Sequence, residues 1–218
     1  MIFAAGRGTR MAPLTDARPK PLIDVAGRPL IDYAIDLARD AGVSTIVANT
    51  HYLPDALDAH LRQSQVTVVH EQTLLETGGG LQNALPMLGD GPVITLNSDV
   101  IWSGSNPITH LISEWRPKVM DALLVLVPKS SALAHAGNGD FEIDNEGRLR
   151  RGRANIFSGL QIINTDRLLQ ISEQVFSLNR VWDMIAAEGR LFGTVHDGGW
   201  CDVGRPESIA LAERMLRV

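Results

Sequence analysis

Residues 4–22 of the 218-residue chain read AAGRGTRMAPLTDARPKPL. The apolar run that opens the chain predicts a short strand over residues 1–5, and Gly6 and Gly8 end it. Lacking a Cβ, each glycine allows a sharp turn and a close approach of backbone to ligand. Successive N–H groups in such a turn form a concave anion site. Arg7, Arg10, Arg18 and Lys20 add four cations to the same stretch. Pro13, Pro19 and Pro21 rule out a regular helix after the turn, so the segment is expected to be an extended, stiffened loop folded over a ligand. The pattern points to a polyphosphate. It is not a dinucleotide fingerprint, because Met11 holds the third glycine position. The string G-x-x-x-x-G-K-[ST] of phosphate-loop NTPases occurs nowhere in the chain.

Outward from this loop, strand and helix alternate. Leu30, Ile31, Ala34, Ile35, Leu37 and Ala38 fall at helical spacing in a helix over 30–41, closed by Gly42. An apolar strand is expected over 43–48, then a short helix over 54–61 with Pro54 in its first turn. A strand over 66–69, a helix over 81–88 and a strand over 93–96 follow, the last running into Asn97-Ser98-Asp99. Alternation with continuous apolar strands predicts an α/β fold: a Rossmann-like, mostly parallel mixed sheet flanked by helices. Ligands in such folds sit outside the carboxyl ends of strands, which places the glycine turn and Asp99 in one crevice. The second half reads as a helix over 108–115, a strand over 122–127, and a hairpin turning at Asp144-Asn145-Glu146-Gly147. A strand over 156–163 and a short helix capped from Asn164, Thr165 or Asp166 come next. A helix over 181–187 closed by Gly189, a strand over 191–195 and a helix over 206–216 complete the chain. Without repeats, low-complexity segments or a linker, a single domain over 1–218 is expected.

Composition narrows the function classes. With 44% hydrophobic and 21% charged residues the chain reads as an ordinary soluble globular protein. A net charge of −5 argues against a broad nucleic-acid-binding face, and four scattered tryptophans make no base-stacking platform. Cys201, the one cysteine, excludes an internal disulfide and fits a reducing compartment. No apolar stretch approaches the roughly 20 residues of a membrane span, and no secretion signal is evident. The expected location is cytoplasmic, without a membrane partner. The six histidines show no metal-ligand spacing and read as structural or solvated.

The string G-x-G-T-R-M-x-P-L-T at 6–15, with P-K-P-L at 19–22 and G-R-P-L at 27–30, resembles the signature of the sugar-phosphate nucleotidyltransferases. Leu75-Glu76-Thr77-Gly78-Gly79-Gly80, Asn97-Ser98-Asp99, Phe157-Ser158-Gly159 and Trp200-Cys201-Asp202-Val203-Gly204 look like family motifs in family order. The resemblance spans nearly the whole chain. It implies a GT-A-like version of the α/β fold, with a nucleotide-binding half over 1–105 and a sugar-binding half over 106–218. It also implies an NTP and a sugar 1-phosphate as partners, an NDP-sugar and pyrophosphate as products, and Mg²⁺ as cofactor. The E-T-G-G-G variant and the short chain are most similar to members that use UTP and N-acetylmuramic acid 1-phosphate in peptidoglycan recycling. Two alternatives stay open: transfer of TMP, CMP or GMP to another sugar or alcohol phosphate, such as those of glucose, mannose or N-acetylglucosamine, and a non-catalytic nucleotide-sensing subunit. A degenerate sensor is expected to lose the lysine or a metal aspartate, whereas Arg10, Lys20, Asp99 and Asp202 are all present. Monomer and homodimer both fit.

Nucleotidyl transfer uses a nucleophile that is already an anionic phosphate oxygen, so positioning and electrostatics carry most of the rate. Ala5, Gly6, Gly8, Thr9 and Arg10 are expected to hold the triphosphate, with Ser98 also on the nucleotide side. Arg10 is the candidate for the leaving pyrophosphate, and Lys20 for the α-phosphate or the sugar phosphate. Magnesium takes one or two carboxylates together with substrate phosphates and water; Asp99 and Asp202 match the family's metal pair. Glu76, Thr77 and Gly78, with Gln72, are expected to meet the base, uracil being favoured, and Thr77 is also expected to cap the helix over 81–88. The resemblance makes Asn97, Gly139, Asp140, Asn155, Ser158 and Gly159 the sugar candidates, with glycines for close approach and polar side chains for hydroxyls. Two departures stand out: the Glu-Lys-Pro string of longer members is absent, leaving Arg151 or Arg153 as candidates for its phosphate contact, and Arg205 stands where threonine commonly sits.

Overall fold

A computed structural model describes residues 1–217. Along the first half run β1 (Ile2–Phe3), the hairpin of β2 (Asp24–Val25) and β3 (Arg28–Pro29), α1 (Leu30–Asp40), β4 (Val47–Thr50), α2 (Pro54–Gln63), β5 (Thr67–His70), α3 (Glu76–Leu88), β6 (Val93–Asn97), β7 (Val100–Trp102) and α4 (Pro107–Glu114). The second half adds β8 (Ala122–Pro128), β9 (Ala132–Leu133), the hairpin of β10 (Phe141–Ile143) and β11 (Leu149–Arg151), and β12 (Asn155–Ile163). It ends with α5 (Leu178–Ala187), β13 (Leu191–Val195), β14 (Trp200–Asp202) and α6 (Pro206–Leu216). β1 pairs in parallel with β4 and β6, β4 with β5, and β13 with β8. β12 runs antiparallel between β6 and β8. The result is the expected α/β architecture, a mixed sheet flanked by helices.

Strand β8 shows why such strands read as unbroken apolar runs. Ala122, Leu124 and Leu126 join a cluster with Leu81 of α3 and Val181, Trp182 and Ile185 of α5. Leu123, Val125 and Val127 face the other way, toward Ile31 and Ile35 of α1, Leu57 of α2 and Leu111 of α4. Both faces are covered, so every position is apolar, and each large side chain buried in this way contributes about 1.5–3 kcal/mol. A smaller core forms beneath α6 from Met11, Ile23, Leu30, Ile101, Cys201 and Val203. It carries a second sheet in which β14 pairs antiparallel with β7 and parallel with β9. That small sheet sets the site, because its register brings Asp202 opposite Val100.

Several boundaries differ from expectation for identifiable reasons. The strand expected over 43–48 runs instead over Val47–Thr50. Val43 N–H donates to Ala38 O (3.0 Å) and Gly42 N–H to Arg39 O (2.8 Å), with Gly42 at φ 77°, so this stretch first closes α1 in a Schellman-type cap. Helix α3 starts at Glu76 rather than Leu81, although three glycines in a first turn are poor helix formers. A tertiary acceptor overrides that propensity: Phe176 O takes the N–H groups of both Gly78 (2.9 Å) and Gly79 (3.1 Å). The loop over residues 9–22 is not wholly extended but carries two single 3₁₀ turns, Thr9–Met11 and Lys20–Leu22, which its prolines permit. The strands of the small sheet are too short for periodicity to reveal. No described helix is long and apolar enough to cross a membrane.

Candidate active site

The glycine turn leaves the carboxyl end of β1 and is tied down at several points. Ala4 N–H donates to Asn49 Oδ1 (2.8 Å), Thr15 Oγ1 to Gly8 O (3.1 Å) and Tyr52 Oη to Thr15 O (3.0 Å). Met11 is fully buried and anchors the turn from below. Gly8 sits at φ 62°, and a Cβ there would lie 2.8 Å from Lys20 Cβ. Glycine is therefore required twice over, for the backbone angle and for the passage of Lys20. Lys20, between Pro19 and Pro21, is 8% exposed, and its Nζ donates to Asp99 Oδ2 at 2.5 Å.

Asp99 follows β6 and Asp202 ends β14; Val203 N–H donates to Asp99 O (2.9 Å) and stitches the two segments together. Burial pushes the Asp202 carboxyl above the usual range, and the charge on Asp99 pushes it further, against the opposing pull of Lys20, Arg10 and His135. Arg10 and Asp202 both lie against Gly204, where a Cβ would meet Asp202 Oδ1 at 3.1 Å and Arg10 Nη2 at 3.3 Å. His135 Nδ1 stands 3.6 Å from Asp202 Oδ2. Two carboxylates, Asp202 desolvated and Asp99 paired with Lys20, form a hard-oxygen donor set suited to a divalent cation shared with phosphate. No group of three or more His, Cys, Asp or Glu fit to hold a metal occurs among the described residues, so substrate and water must complete any such coordination.

One cavity opens on this corner, and a second adjoins the first. The first, about 270 Å³, is lined by Ala5, Gly6, Lys20, Glu71, Glu76, Thr77, Ser98 and Asp99 among others. The second, about 260 Å³, is lined by Thr95, Asp140, Phe157, Gln161, Ser177, Asn179 and Trp182. Phe3, Thr77 and Asn97 line both, so the two form one divided cleft.

The expected site residues divide between cleft and scaffold. Ala5, Gly6, Lys20, Glu76, Thr77, Ser98, Asp99 and Asn97 come together around the first cavity. Gly8, Thr9 and Arg10 form the turn beside it. Ser98 Oγ donates to Phe3 O (2.7 Å) and clamps β6 to β1. Gln72 lies in a third cavity of about 400 Å³, and the wall position in the first belongs to its neighbour Glu71. Glu71 is 1% exposed; Asn49 Nδ2 donates to its Oε1 (2.7 Å) and Leu75 N–H to its Oε2 (3.0 Å). The only signal for it in the sequence was its position at the end of a strand.

The triple glycine serves packing. A Cβ at Gly78 would strike the Phe176 ring at 2.4 Å, one at Gly79 the Gln174 carbonyl oxygen at 2.0 Å, and one at Gly80 Glu71 Oε1 at 2.7 Å. With its N–H on Phe176 O, Gly78 presents no free donor to a base. Thr77 does not cap its helix through a side-chain bond; its Oγ1 accepts from Leu178 N–H (3.0 Å) and joins α3 to α5.

Of the sugar candidates, Asp140 lines the second cavity while its Oδ2 accepts from Phe157 N–H (2.9 Å). Gly139, at φ 85°, backs onto Arg153, whose carbonyl oxygen would lie 2.5 Å from a Cβ, and Asn155 pairs with Phe141; neither lines the cleft. Ser158 and Gly159 form a bulge in β12, where the register against β8 shifts between Phe157 and Gln161. Ser158 is fully buried, and its Oγ donates to Val125 O (2.7 Å), replacing a lost ladder bond. Gly159, at φ 87°, leaves room for Asn97, whose side chain a Cβ would meet at 2.8 Å. These two residues shape the cleft without lining it. Trp182, Gln161 and Thr95 were unannounced by any motif; Trp182 Nε1 donates to Gln161 Oε1 (2.7 Å), and Gln161 Nε2 to Thr95 Oγ1 (3.1 Å). His135 also departs from the expectation that every histidine is structural or solvated. Arg18 pairs with Asp24 at the surface (3.1 Å).

A family model described as a MobA-like NTP transferase domain matches residues 1–136. The N-acetylmuramate alpha-1-phosphate uridylyltransferase of Caulobacter vibrioides is 36% identical over 99% of this chain and 96% of its own length. The protein of the same name from Neisseria meningitidis is 34% identical over 94% of this chain and 92% of its own length. In fold, the chain is similar to a solved UDP-glucose pyrophosphorylase complexed with UDP-glucose, with a TM-score of 0.82 at 17% identity, covering 99% of this chain and 97% of that one.

Proposed function

The chain belongs to the MobA-like NTP transferase domain family, and from that premise we propose that it transfers UMP from UTP to N-acetylmuramate 1-phosphate. A phosphate oxygen of the sugar 1-phosphate attacks the α-phosphorus of UTP. A new P–O bond forms as the bond to the β-phosphate breaks, and UDP-N-acetylmuramate and pyrophosphate result. The observation that carries this reading is the convergence of Lys20, Arg10, Asp99 and Asp202 at the edge of the first of two joined cavities, with Lys20 and Asp99 in its wall. It is supported by full-length similarity to two uridylyltransferases of that name.

Each group then has a task. The open backbone at Gly6 admits the triphosphate, and Arg10 neutralises the departing pyrophosphate. Lys20, held rigid by its prolines, offsets the negative charge that builds as two phosphates approach. No side chain needs to remove a proton, since the nucleophile is already ionised. The family generally uses a divalent metal; Mg²⁺ on Asp99 and Asp202 would supply charge neutralisation between the two phosphates. Glu71, with one partner on each oxygen, retains acceptor capacity toward the N3–H of uracil. We assign the activity to the cytoplasm, the nucleotide side of the cleft to residues 1–105, and the sugar side to residues 106–218 together with Phe3, Thr77, Thr95 and Asn97 of the first half.

The test is pyrophosphate release with Mg²⁺ from each of UTP, TTP, CTP and GTP against the 1-phosphates of N-acetylmuramate, N-acetylglucosamine, mannose and glucose. Turnover highest with UTP and N-acetylmuramate 1-phosphate is expected. A different best pair would replace the substrate assignment, and tight NTP binding without turnover of any pair would replace the enzyme with a sensor.

A further inference from the structure

N-acetylmuramate differs from N-acetylglucosamine by a 3-O-lactyl group that carries a carboxylate, and a site that prefers the former needs a cation beyond the transfer machinery. Lys20 and Arg10 are committed to the carboxylate pair. The first turn of α5 faces the second cavity, but its donors are occupied: Leu178 N–H by Thr77 Oγ1 (3.0 Å), Asn179 N–H by Ser177 Oγ (3.2 Å) and Arg180 N–H by Ser177 O (3.1 Å). Arg180 itself pairs with Glu173 at 2.8 Å.

Arg151 is placed differently. In the β10–β11 hairpin it is directly opposite Phe141, so the two share a face, whereas Arg150 projects from the other face and bonds Glu142 at 2.5 Å. The Arg151 guanidinium lies 4.8 Å from the Phe141 ring centroid and 5.9 Å from that of Trp182. Its Nη2 donates to Asn179 O (3.3 Å), and Nε and Nη2 both donate to Asp183 Oδ1 (2.9 and 2.7 Å). Asn179 and Trp182 line the second cavity. Arg151 is thus a guanidinium clamped against two lining residues at the rim of the second cavity. Like Arg180 it already holds a carboxylate, Asp183 on Nε and Nη2, so Nη1 is the edge left for a second one, and the side chain is 44% exposed. A planar fork stacked on aromatics and fixed in orientation is the usual reader of a carboxylate. Asp140 in the cavity wall and Asp183 beside the guanidinium both repel a carboxylate, so the acid group is to be met at Nη1, the edge of the fork away from Asp183.

We infer that Arg151 is the specificity residue for the sugar, binding the lactyl carboxylate of N-acetylmuramate 1-phosphate at the Trp182 rim of the second cavity; this rests on the substrate reading above. The test compares Arg151→Gln, Arg151→Lys and Arg150→Gln with the wild type. It reads the ratio of kcat/KM for N-acetylmuramate 1-phosphate over N-acetylglucosamine 1-phosphate with UTP, and the ratio of Kd for UDP-N-acetylmuramate and UDP-N-acetylglucosamine by calorimetry. Calorimetry keeps the comparison readable where the second sugar is not turned over.

Arg151→Gln is expected to cut the preference roughly 10- to 100-fold, the worth of one charge-assisted pair. Arg151→Lys should fall between it and the wild type, and Arg150→Gln should leave the ratio where it was. An undiminished preference in Arg151→Gln overturns the inference alone, as does an equal loss for both sugars, which marks a phosphate contact or a packing role. A wild type with no preference for the muramate sugar overturns both the inference and the substrate reading.

Discussion

The two cavities meet at Asn97 and Thr77 yet are built in opposite ways. The first takes Ala5, Gly6 and Lys20 from one continuous stretch, in which a glycine conformation and three prolines force the shape. The second takes Thr95 from β6, Asp140 from the approach to β10, Gln161 from β12 and Trp182 from α5. The proposed polyphosphate grip is a local device, so its residues must keep fixed spacing. The proposed sugar pocket is a tertiary product, gathered from elements far apart in the chain. The carboxylate pair stands between these extremes: each aspartate belongs to a short motif, but only the small-sheet register and the Val203–Asp99 bond unite them.

The largest effect that would sharpen this contrast is at Lys20. Lys20→Met should lower kcat by roughly 10²- to 10³-fold with little change in fold, since Met retains most of the buried stem; steady-state rates and a melting curve check both halves. Gly79→Ala attacks the scaffold that both cavities share. A methyl 2.0 Å from the Gln174 carbonyl oxygen forces α3 away from the segment before α5, at about 1–3 kcal/mol or more, which predicts a Tm lower by roughly 4–10 °C. Glu71→Gln and Gln72→Ala separate wall from neighbour: the first should raise the KM for UTP by roughly 10-fold or more for a lost interaction with the base, the second should leave it near wild type. Equal effects at 71 and 72 would break the assignment of the base to the first cavity, whose wall takes Glu71 but not Gln72.

The smallest effect is one of pH. Burial pulls His196 below its ordinary imidazole value, against the opposing carbonyl of Ser103 and the charge of Asp197. The unfolded chain therefore takes up the proton first as pH falls through the usual imidazole range. This contribution to stability is intact at higher pH and declines as the solution is acidified below about 6.5. The Tm of the wild type should fall over that interval more steeply than that of His196→Gln.

How far the sequence could be read follows the same division. The alternating sheet, the glycine turn, Lys20 and both aspartates were legible because each is announced by periodicity or by a compact motif. Phe-Ser-Gly was legible as a motif but not as a structure: Ser158 mends a bulge and Gly159 makes room for Asn97, so both act on the cleft at one remove. The start of α3 was misplaced because its decisive acceptor, Phe176 O, lies far along the chain. Trp182, Gln161 and His135 carried no local signal. Trp182 has the periodicity of an ordinary helix core residue, and His135 meets Asp202 only through the pairing of β9 with β14.

The central claim is that the Asp99–Asp202 corner at the edge of the first cavity is where UMP changes hands. Asp202→Asn preserves shape while removing the charge, and metal-dependent pyrophosphate release from UTP with N-acetylmuramate 1-phosphate reads the consequence directly. A fall of roughly 10²-fold or more with an unchanged Tm is the predicted result. A variant that releases pyrophosphate at the wild-type rate, with the same dependence on metal, would contradict it.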